Sequence, residues 1–285
     1  MAGLNDKLVP VLLREIERLK EEPKPREFEY TKADLSGKIA VVTGSNKGLG
    51  KEIARLLISR GCTVLMGGRS MEPLKKAAAE LGGTPLLLDI NDSASIKAAI
   101  ETVTKDHGRV DILVNNAGAC FDANGDFTAT NAETVTRDTL LKSFDVNLFR
   151  QIEVIQGFLP LLKAAPYANV VNITSIVGSI AVQSLPEGGV GHVLGYAASK
   201  AAFNMATVCF THALQGTKVR MNNAHPGWLK TEAGGGDTGS EYQMEVIAGA
   251  ETPVYLASLG PNSDLNGAFM GPTDVQATHG KLLDW

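Results

Sequence analysis

Residues 38–50 read KIAVVTGSNKGLG, and the rest of the chain is organised around them. Ile39, Ala40, Val41 and Val42 form a short apolar run, the pattern of a buried strand. Thr43 to Gly50 supply a turn, and Lys51 to Leu57 begin a helix-compatible segment. Gly44, Gly48 and Gly50 permit tight turning and close approach of the backbone to a ligand. A helix starting there aims unpaired N–H groups at a phosphate or pyrophosphate. Strand, glycine turn and helix stand in the order of a dinucleotide site. The spacing departs from the commonest fingerprint, because three residues separate the first two glycines. The alternative is a tight turn in some other α/β protein.

The same rhythm repeats downstream. Thr63 to Met66 form a second strand, ended by Gly67, Gly68, Arg69 and Ser70. A helix from Glu72 to Leu81 and a strand from Thr84 to Leu88 follow. Asp89, Asn91 and Asp92 mark the strand exit, and Ile96 to Asp106 are helical. Val110 to Val114 form a fourth strand, ended by Asn115, Asn116, Ala117 and Gly118. This alternation argues for a parallel sheet with helices on both faces. Handed crossovers make an open, doubly wound sheet the simplest topology. A long helical pattern runs from Val135 to Leu162, with a break before Asn147. Asn169 to Thr174 form a fifth strand, Lys218 to Asn222 a sixth and Asn266 to Phe269 a seventh, with a helix over Tyr196 to Leu214. Residues 227–249, rich in Gly, Thr and charge, read as a covering segment with a short helix near Glu241 to Ile247. Residues 37–285 carry no internal boundary or repeat, so they form one domain preceded by an extension and linker over 1–36.

Composition narrows the class. A 285-residue chain with 44% hydrophobic residues and 30 glycines fits a compact globular enzyme. Its net charge of −4 gives no reason to expect nucleic acid as a partner. No stretch is long and apolar enough to span a bilayer. Cys62, Cys120 and Cys209 are isolated, which suggests a reducing compartment and no disulfide scaffold. The first residues do not follow the order of a secretory signal, so a cytoplasmic location is expected, with an organelle lumen as the alternative. Leu4, Leu8, Leu12, Ile16 and Leu19 fall at helical spacing, with Pro10 inside the pattern. This helix is expected to dock on the main body or a sister subunit rather than a membrane surface, because acidic residues share its polar face.

Tyr196 and Lys200 stand four apart on one helix face. A nearby ammonium favours phenolate and lowers a tyrosine pKa. Such a pair can pass a proton to or from a carbonyl or alcohol oxygen; the ordinary alternative is a surface helix contact. Ser175, just after the fifth strand, can orient the same oxygen or serve as a turn cap. Asn147, in DVNLF, can hold a backbone irregularity or an ordered water beside Lys200. His225, before Pro226, reads as structural, and no spacing of His, Cys and carboxylates suggests a metal site.

Together these stretches resemble the short-chain dehydrogenase/reductase family. The resemblance rests on TGSNKGLG at 43–50, NNAG at 115–118, Asn147, Ser175, YAASK at 196–200 and PGWLKT at 226–231, and extends over residues 37–272. It implies a single Rossmann-type doubly wound α/β domain with a parallel seven-stranded sheet, and NAD(P)H as hydride carrier. It implies Tyr196 as general acid in carbonyl reduction and general base in alcohol oxidation. Lys200 would bind the nicotinamide ribose and lower the tyrosine pKa, Ser175 would position the substrate oxygen, and Asn147 would hold a relay water. The cofactor would lie along Gly44, Ser45, Asn46, Lys47, Gly48, Leu49 and Gly50. Asp89 and Ile90 would meet the adenine, and Asn116, Ala117 and Gly118 would flank it, with Asn115 supporting the sheet. Pro226, Gly227, Trp228 and Thr231 would follow at the carboxamide end.

Gly68 stands where the resemblance would put an acidic residue for the free ribose hydroxyl of NAD. Arg69 beside it and Lys47 in the turn suit the 2′-phosphate of NADP, so NADP(H) is the expected cofactor. The alternative is that both cations face solvent or neighbouring carboxylates. Ser175 and Tyr196 are further apart than is usual in the family; the extra residues fall in 183–194 and would reshape the pocket rim through Gln183, Leu185 or His192. His192 is expected to be a solvated loop-tip residue. Trp228, Leu229, Tyr242 and Met244 would form an apolar lid or simply pack the covering segment. Gln151, Phe158 and Phe203 lie on helices that pair subunits in many members, which would give a homodimer or homotetramer. The expected function is hydride transfer between NADP(H) and a largely apolar small-molecule carbonyl or alcohol. The alternatives are an epimerase, dehydratase or other non-redox enzyme on the same fold, or a non-enzymatic dinucleotide-binding scaffold.

Overall fold

The computed structural model describes residues 33–122, 131–184, 192–240, 243–271, 282, 283 and 285. The expected N-terminal helix, Leu185 and Tyr242 lie outside the described residues. Seven parallel strands form one sheet in the order β3-β2-β1-β4-β5-β6-β7. They are β1 (Ile39–Val42), β2 (Thr63–Gly68), β3 (Thr84–Leu87), β4 (Ile112–Asn115), β5 (Ala168–Ile173), β6 (Val219–Ala224) and β7 (Phe269–Met270). The order reverses between β1 and β4, which opens a crevice at their C-terminal ends, where such sheets bind ligands.

Helices α1 (Gly48–Ile58), α2 (Met71–Leu81) and α7 (Val246–Ala257) carry the apolar residues of one core, and α3 (Ser93–His107), α5 (Arg150–Ala164) and α6 (Leu194–Ala213) those of the other. Successive residues of β1 alternate between the cores: Ala40 and Val42 belong to the core that holds Leu57 and Val254, while Ile39 and Val41 belong to the one that holds Phe158 and Val103. Both faces are covered, which is why the strand reads as an unbroken apolar run.

Three details differ from the sequence reading. Gly67 and Gly68 continue β2 and pair with Leu86 and Leu87 instead of ending the strand. A Cβ on Gly67 would lie 3.1 Å from the Val42 carbonyl oxygen, and one on Gly68 3.1 Å from Leu74 Cδ2, so both glycines serve packing. The end of the chain's glycine-rich covering segment is helix α7, despite Gly249 and Pro253 inside it. Gly249 is required because Leu229 and the Pro226 carbonyl seat on it, within 2.4 and 2.7 Å of where a Cβ would be. The long helical pattern is α4 (Arg137–Phe144) and α5 joined by a π-helical turn, Asp145–Phe149, that contains Asn147.

Behind the crevice, buried amides link three strands to α6. Asn115 Nδ2 donates to Asn172 Oδ1 at 2.8 Å, and Asn172 Nδ2 donates to Thr207 Oγ1 at 2.8 Å. The Thr207 hydroxyl donates to Asn223 Oδ1 at 2.7 Å, Asn223 Nδ2 to Asn204 Oδ1 at 2.9 Å, and Asn204 Nδ2 to the Gly178 carbonyl at 3.3 Å. An Asn172→Ala substitution strands the Asn115 amide in the core. It is expected to cost about 2–3 kcal/mol, read as a lower urea midpoint with an unchanged slope.

Candidate active site

The crevice is built from the ends of β1, β4, β5 and β6. After β1, Gly44 (φ 64) and Gly48 (φ 56) take left-handed conformations that favour glycine. A Cβ on Gly50 would fall 2.4 Å from both Asn116 Nδ2 and the Gly44 carbonyl oxygen, so the turn closes only on glycine. The Thr43 hydroxyl accepts from the Asn116 and Ala117 N–H groups at 2.9 and 3.0 Å, and Asn116 Nδ2 donates to the Thr43 and Gly44 carbonyls. Thr43 thus ties the glycine turn to the β4 exit, a role its place in the motif did not disclose. No side chain caps α1 and no acidic residue lies in its first turn, so its N–H groups face the crevice with the positive end of the helix dipole. This cradle fits a pyrophosphate. The Ser45 hydroxyl, by contrast, turns inward to the Gly67 carbonyl at 3.3 Å. Asp89 forms a local turn with the Asn91 N–H, and Ile90 is buried beside it.

Asn147 is fully buried and clamps the β4 exit from both sides. Its Nδ2 donates to the Ala119 carbonyl at 2.8 Å, and its Oδ1 accepts the Ala119 N–H at 3.0 Å. The same Nδ2 reaches Ser199 Oγ at 3.1 Å on α6. Gly118 sits in the angle: a Cβ there would be 3.0 Å from Asn147 Oδ1 and 3.5 Å from Lys200 Nζ. Gln151 completes the joint, its Nε2 donating to the Ala117 and Val146 carbonyls at 2.8 and 2.9 Å. Gln151, Phe158 and Phe203 are all buried within the protomer, so their side chains are core and not a subunit-pairing surface. Helical register alone could not tell which side of α5 and α6 meets the sheet.

Ser175, Tyr196 and Lys200 stand close together. The Ser175 side chain hydrogen-bonds the phenol and also accepts from the Val177 N–H at 3.4 Å, so it is both partner and cap. Lys200 Nζ stands 5.6 Å from the Tyr196 ring centroid and donates to the Ile173 carbonyl at 2.8 Å. A Cβ on Gly178 would lie 2.8 Å from the Lys200 carbonyl carbon and the Ala201 nitrogen, so the turn after Ser175 rests directly on α6. This contact keeps Ser175 and Tyr196 together across the long intervening segment. Burial dominates the electrostatics. It pushes the Tyr196 phenol up to about 12, with the Cys120 thiol adding and the Ser175 hydrogen bond opposing. It brings the Lys200 ammonium down to about 8. The lowering of the phenol expected from the lysine is not seen in this arrangement: the influence that opposes burial is Ser175.

The covering segment folds onto the glycine turn. Thr231 Cγ2 is 3.7 Å from where a Gly48 Cβ would be, which sets Thr231 beside the phosphate cradle, and its hydroxyl accepts the Gly234 N–H at 3.1 Å. Lys47 pairs with Glu232, and Arg69 adds to the field that holds the Glu232 carboxyl below its usual range. Gly227 is left-handed (φ 86), Trp228 stays half-exposed with Nε1 on the Gly234 carbonyl at 2.9 Å, and Leu229 is core. Leu229 and Met244 are joined by a short backbone bridge within the covering segment. His192 bridges Asn131 and has a buried Nδ1 without a partner, unlike a solvated tip. Among the described residues no group of side chains could hold a metal and no helix is long and apolar enough to cross a membrane.

The family model described as short chain dehydrogenase matches residues 38–239. The short-chain dehydrogenase anuI of Penicillium roqueforti is 31% identical over 251 residues, covering 84% of this chain and 95% of that protein. The 3-oxoacyl-acyl-carrier-protein reductase FabG of Thermotoga maritima is 32% identical over 202 residues, covering 69% of this chain and 76% of that protein. The crystal structure of NADPH-bound carbonyl reductase from chicken fatty liver superposes with a TM-score of 0.74 at 27% identity, over 88% of this chain and all of that one.

His225, at the end of β6, is buried with no partner for Nδ1, and burial lowers its pKa from 6.5 to about 4. The unfolded chain binds this proton more readily, so stability is present above pH 6.5 and is lost as the pH falls towards 4. The loss is expected to reach about 2–3 kcal/mol. Tm measured across this interval should fall further in the wild type than in His225→Phe.

Proposed function

The chain belongs to the short-chain dehydrogenase/reductase family, and from that premise we propose that it is an NADP(H)-dependent carbonyl reductase, able to run in reverse as an alcohol dehydrogenase. What carries the reading is the meeting of Tyr196, Ser175 and Lys200 beside the glycine cradle. The cofactor, when bound, supplies the hydride. Gly44, Gly48, Gly50 and the first turn of α1 would hold its pyrophosphate, and Lys200 its nicotinamide ribose. Ser175 and Tyr196 hold the carbonyl oxygen by two hydrogen bonds. The Tyr196 phenol would give its proton to that oxygen, and the Lys200 ammonium would stabilise the tyrosinate left behind. A phenol raised by burial is fully protonated at neutral pH, as the reductive direction requires. Oxidation needs the phenolate and is favoured by rising pH.

The preference for NADP(H) rests on three residues. Leu74 crowds Gly68, where an acid would discriminate against a phosphate. Lys47 and Arg69 both bear on Glu232, which marks one electropositive spot. A 2′-phosphate would take Lys47 from Glu232, exchanging one anion for another. The half-exposed Trp228 beside the Pro226–Gly227 turn favours an apolar substrate. Residues 1–36 are proposed as a helical extension to the catalytic domain.

The test is NADPH oxidation over a panel of apolar ketones and aldehydes, with product identification. Turnover is expected, and Tyr196→Phe should lose it by about 10²–10⁴-fold while still binding NADPH. Tight NADPH binding with no oxidation across the panel would sink the reading. Removing the competing anion with Glu232→Gln should tighten NADPH binding by about two- to fivefold and leave NADH unchanged in fluorescence titrations.

A further inference from the structure

We propose that Asp122 is the positioning residue for the general acid, fixing Tyr196 by gripping the backbone of its helix. The inference rests on the reading of Tyr196 as proton donor. Helix α6 starts badly by its own means. Val193, its N-cap residue, is left-handed (φ 57, ψ 41), rare for a β-branched side chain, and supplies no side-chain cap. The cap comes from far back in the chain. Asp122 Oδ1 accepts the Gly195 N–H at 2.9 Å, and Oδ2 accepts the Tyr196 N–H at 2.8 Å. Asp122 is only 1% exposed, and these two donors and the positive end of the helix dipole are among the groups that favour its charge.

Two further features belong to the same contact. Gly195 is buried, and a Cβ there would fall 3.1 Å from each Asp122 oxygen and 3.0 Å from Ser143 Oγ. A side chain at position 195 would press on the carboxylate where it straddles the two amides. Asp122 also lies three residues after Ala119, whose N–H and carbonyl Asn147 clamps from both sides. The β4 exit is therefore fixed at Ala119 to the π-turn and at Asp122 to α6. The residue whose N–H is gripped is Tyr196 itself, so a shift of the first turn displaces the phenol relative to Ser175. A displacement of about 1 Å at a reacting group can cost on the order of 10²-fold in rate.

The experiment has two arms, with Asp122→Ala and the milder Asp122→Asn, which keeps one acceptor. The first arm needs no substrate. Hydrogen exchange of the Gly195 and Tyr196 amides should accelerate by about 10- to 100-fold in Asp122→Ala, and less in Asp122→Asn. Unchanged exchange in both would overturn the contact; if the alanine variant does not fold, the asparagine variant decides. The second arm uses the best carbonyl compound of the NADPH panel. Asp122→Ala should lower kcat by about 10- to 100-fold with NADPH affinity within twofold of wild type, and Asp122→Asn should recover part of it. In a Tyr196→Phe background the alanine substitution should cost nothing more, because the group it positions is gone. An equal further loss there would mean a purely structural role and would refute positioning. Wild-type turnover by Tyr196→Phe would defeat the proposed function instead, and the exchange arm would still decide whether Asp122 holds the helix.

Discussion

The two-sided grip of Asn147 on the backbone of Ala119 is the constraint on which the crevice depends. A strand that ends at a sheet's C-terminal edge has no reason to hold a fixed course beyond its last ladder bond. Here the course is set by one buried amide that donates to the carbonyl and accepts from the N–H of the same residue, gripping two consecutive peptides. The π-turn makes this possible by carrying Asn147 to the crevice side of an otherwise regular helix pair. Gly118 then has room only for a hydrogen where Lys200 and Asn147 converge. The exit of β4 and the helix that carries Tyr196 and Lys200 are thereby locked to a common reference.

Desolvation is the second organising force. Tyr196 and Lys200 are driven towards their neutral forms by burial, in opposite directions on the pH scale. The pair is best seen as two reluctant charges, each held from its ionised form by the same dry surroundings. The Ser175 hydrogen bond is already in place to favour the phenolate. Around the cradle the balance is different, since Lys47 and Glu232 are well exposed and water screens them.

Much of this was legible in the chain because the strands are buried on both faces and the turn residues are specific. The β1 run, the glycine turn and the Tyr–Lys pair needed only spacing. Gly67 and Gly68 misled because glycine usually interrupts a strand, whereas here it admits Leu74 and the neighbouring backbone. Helix α7 was hidden for a similar reason: Gly249 exists to receive Leu229, a partner 20 positions away. The direction of the Gln151, Phe158 and Phe203 side chains depended on which helix face met the sheet. Asp122 and Thr43 left no local signal, since their partners are backbone groups supplied by distant turns. Hydrogen bonds to main chain do not write themselves into the partner's side-chain identity.

The amide chain from Asn115 to the Gly178 carbonyl has every donor pointing the same way. Polarity runs through it like current through links in series, and reversing one amide would set donor against donor at the next. Asn115, Asn172, Asn204 and Asn223 therefore form a single unit of inheritance. Neutral drift can change them only in concert, so over long divergence these four positions should vary as a block or not at all.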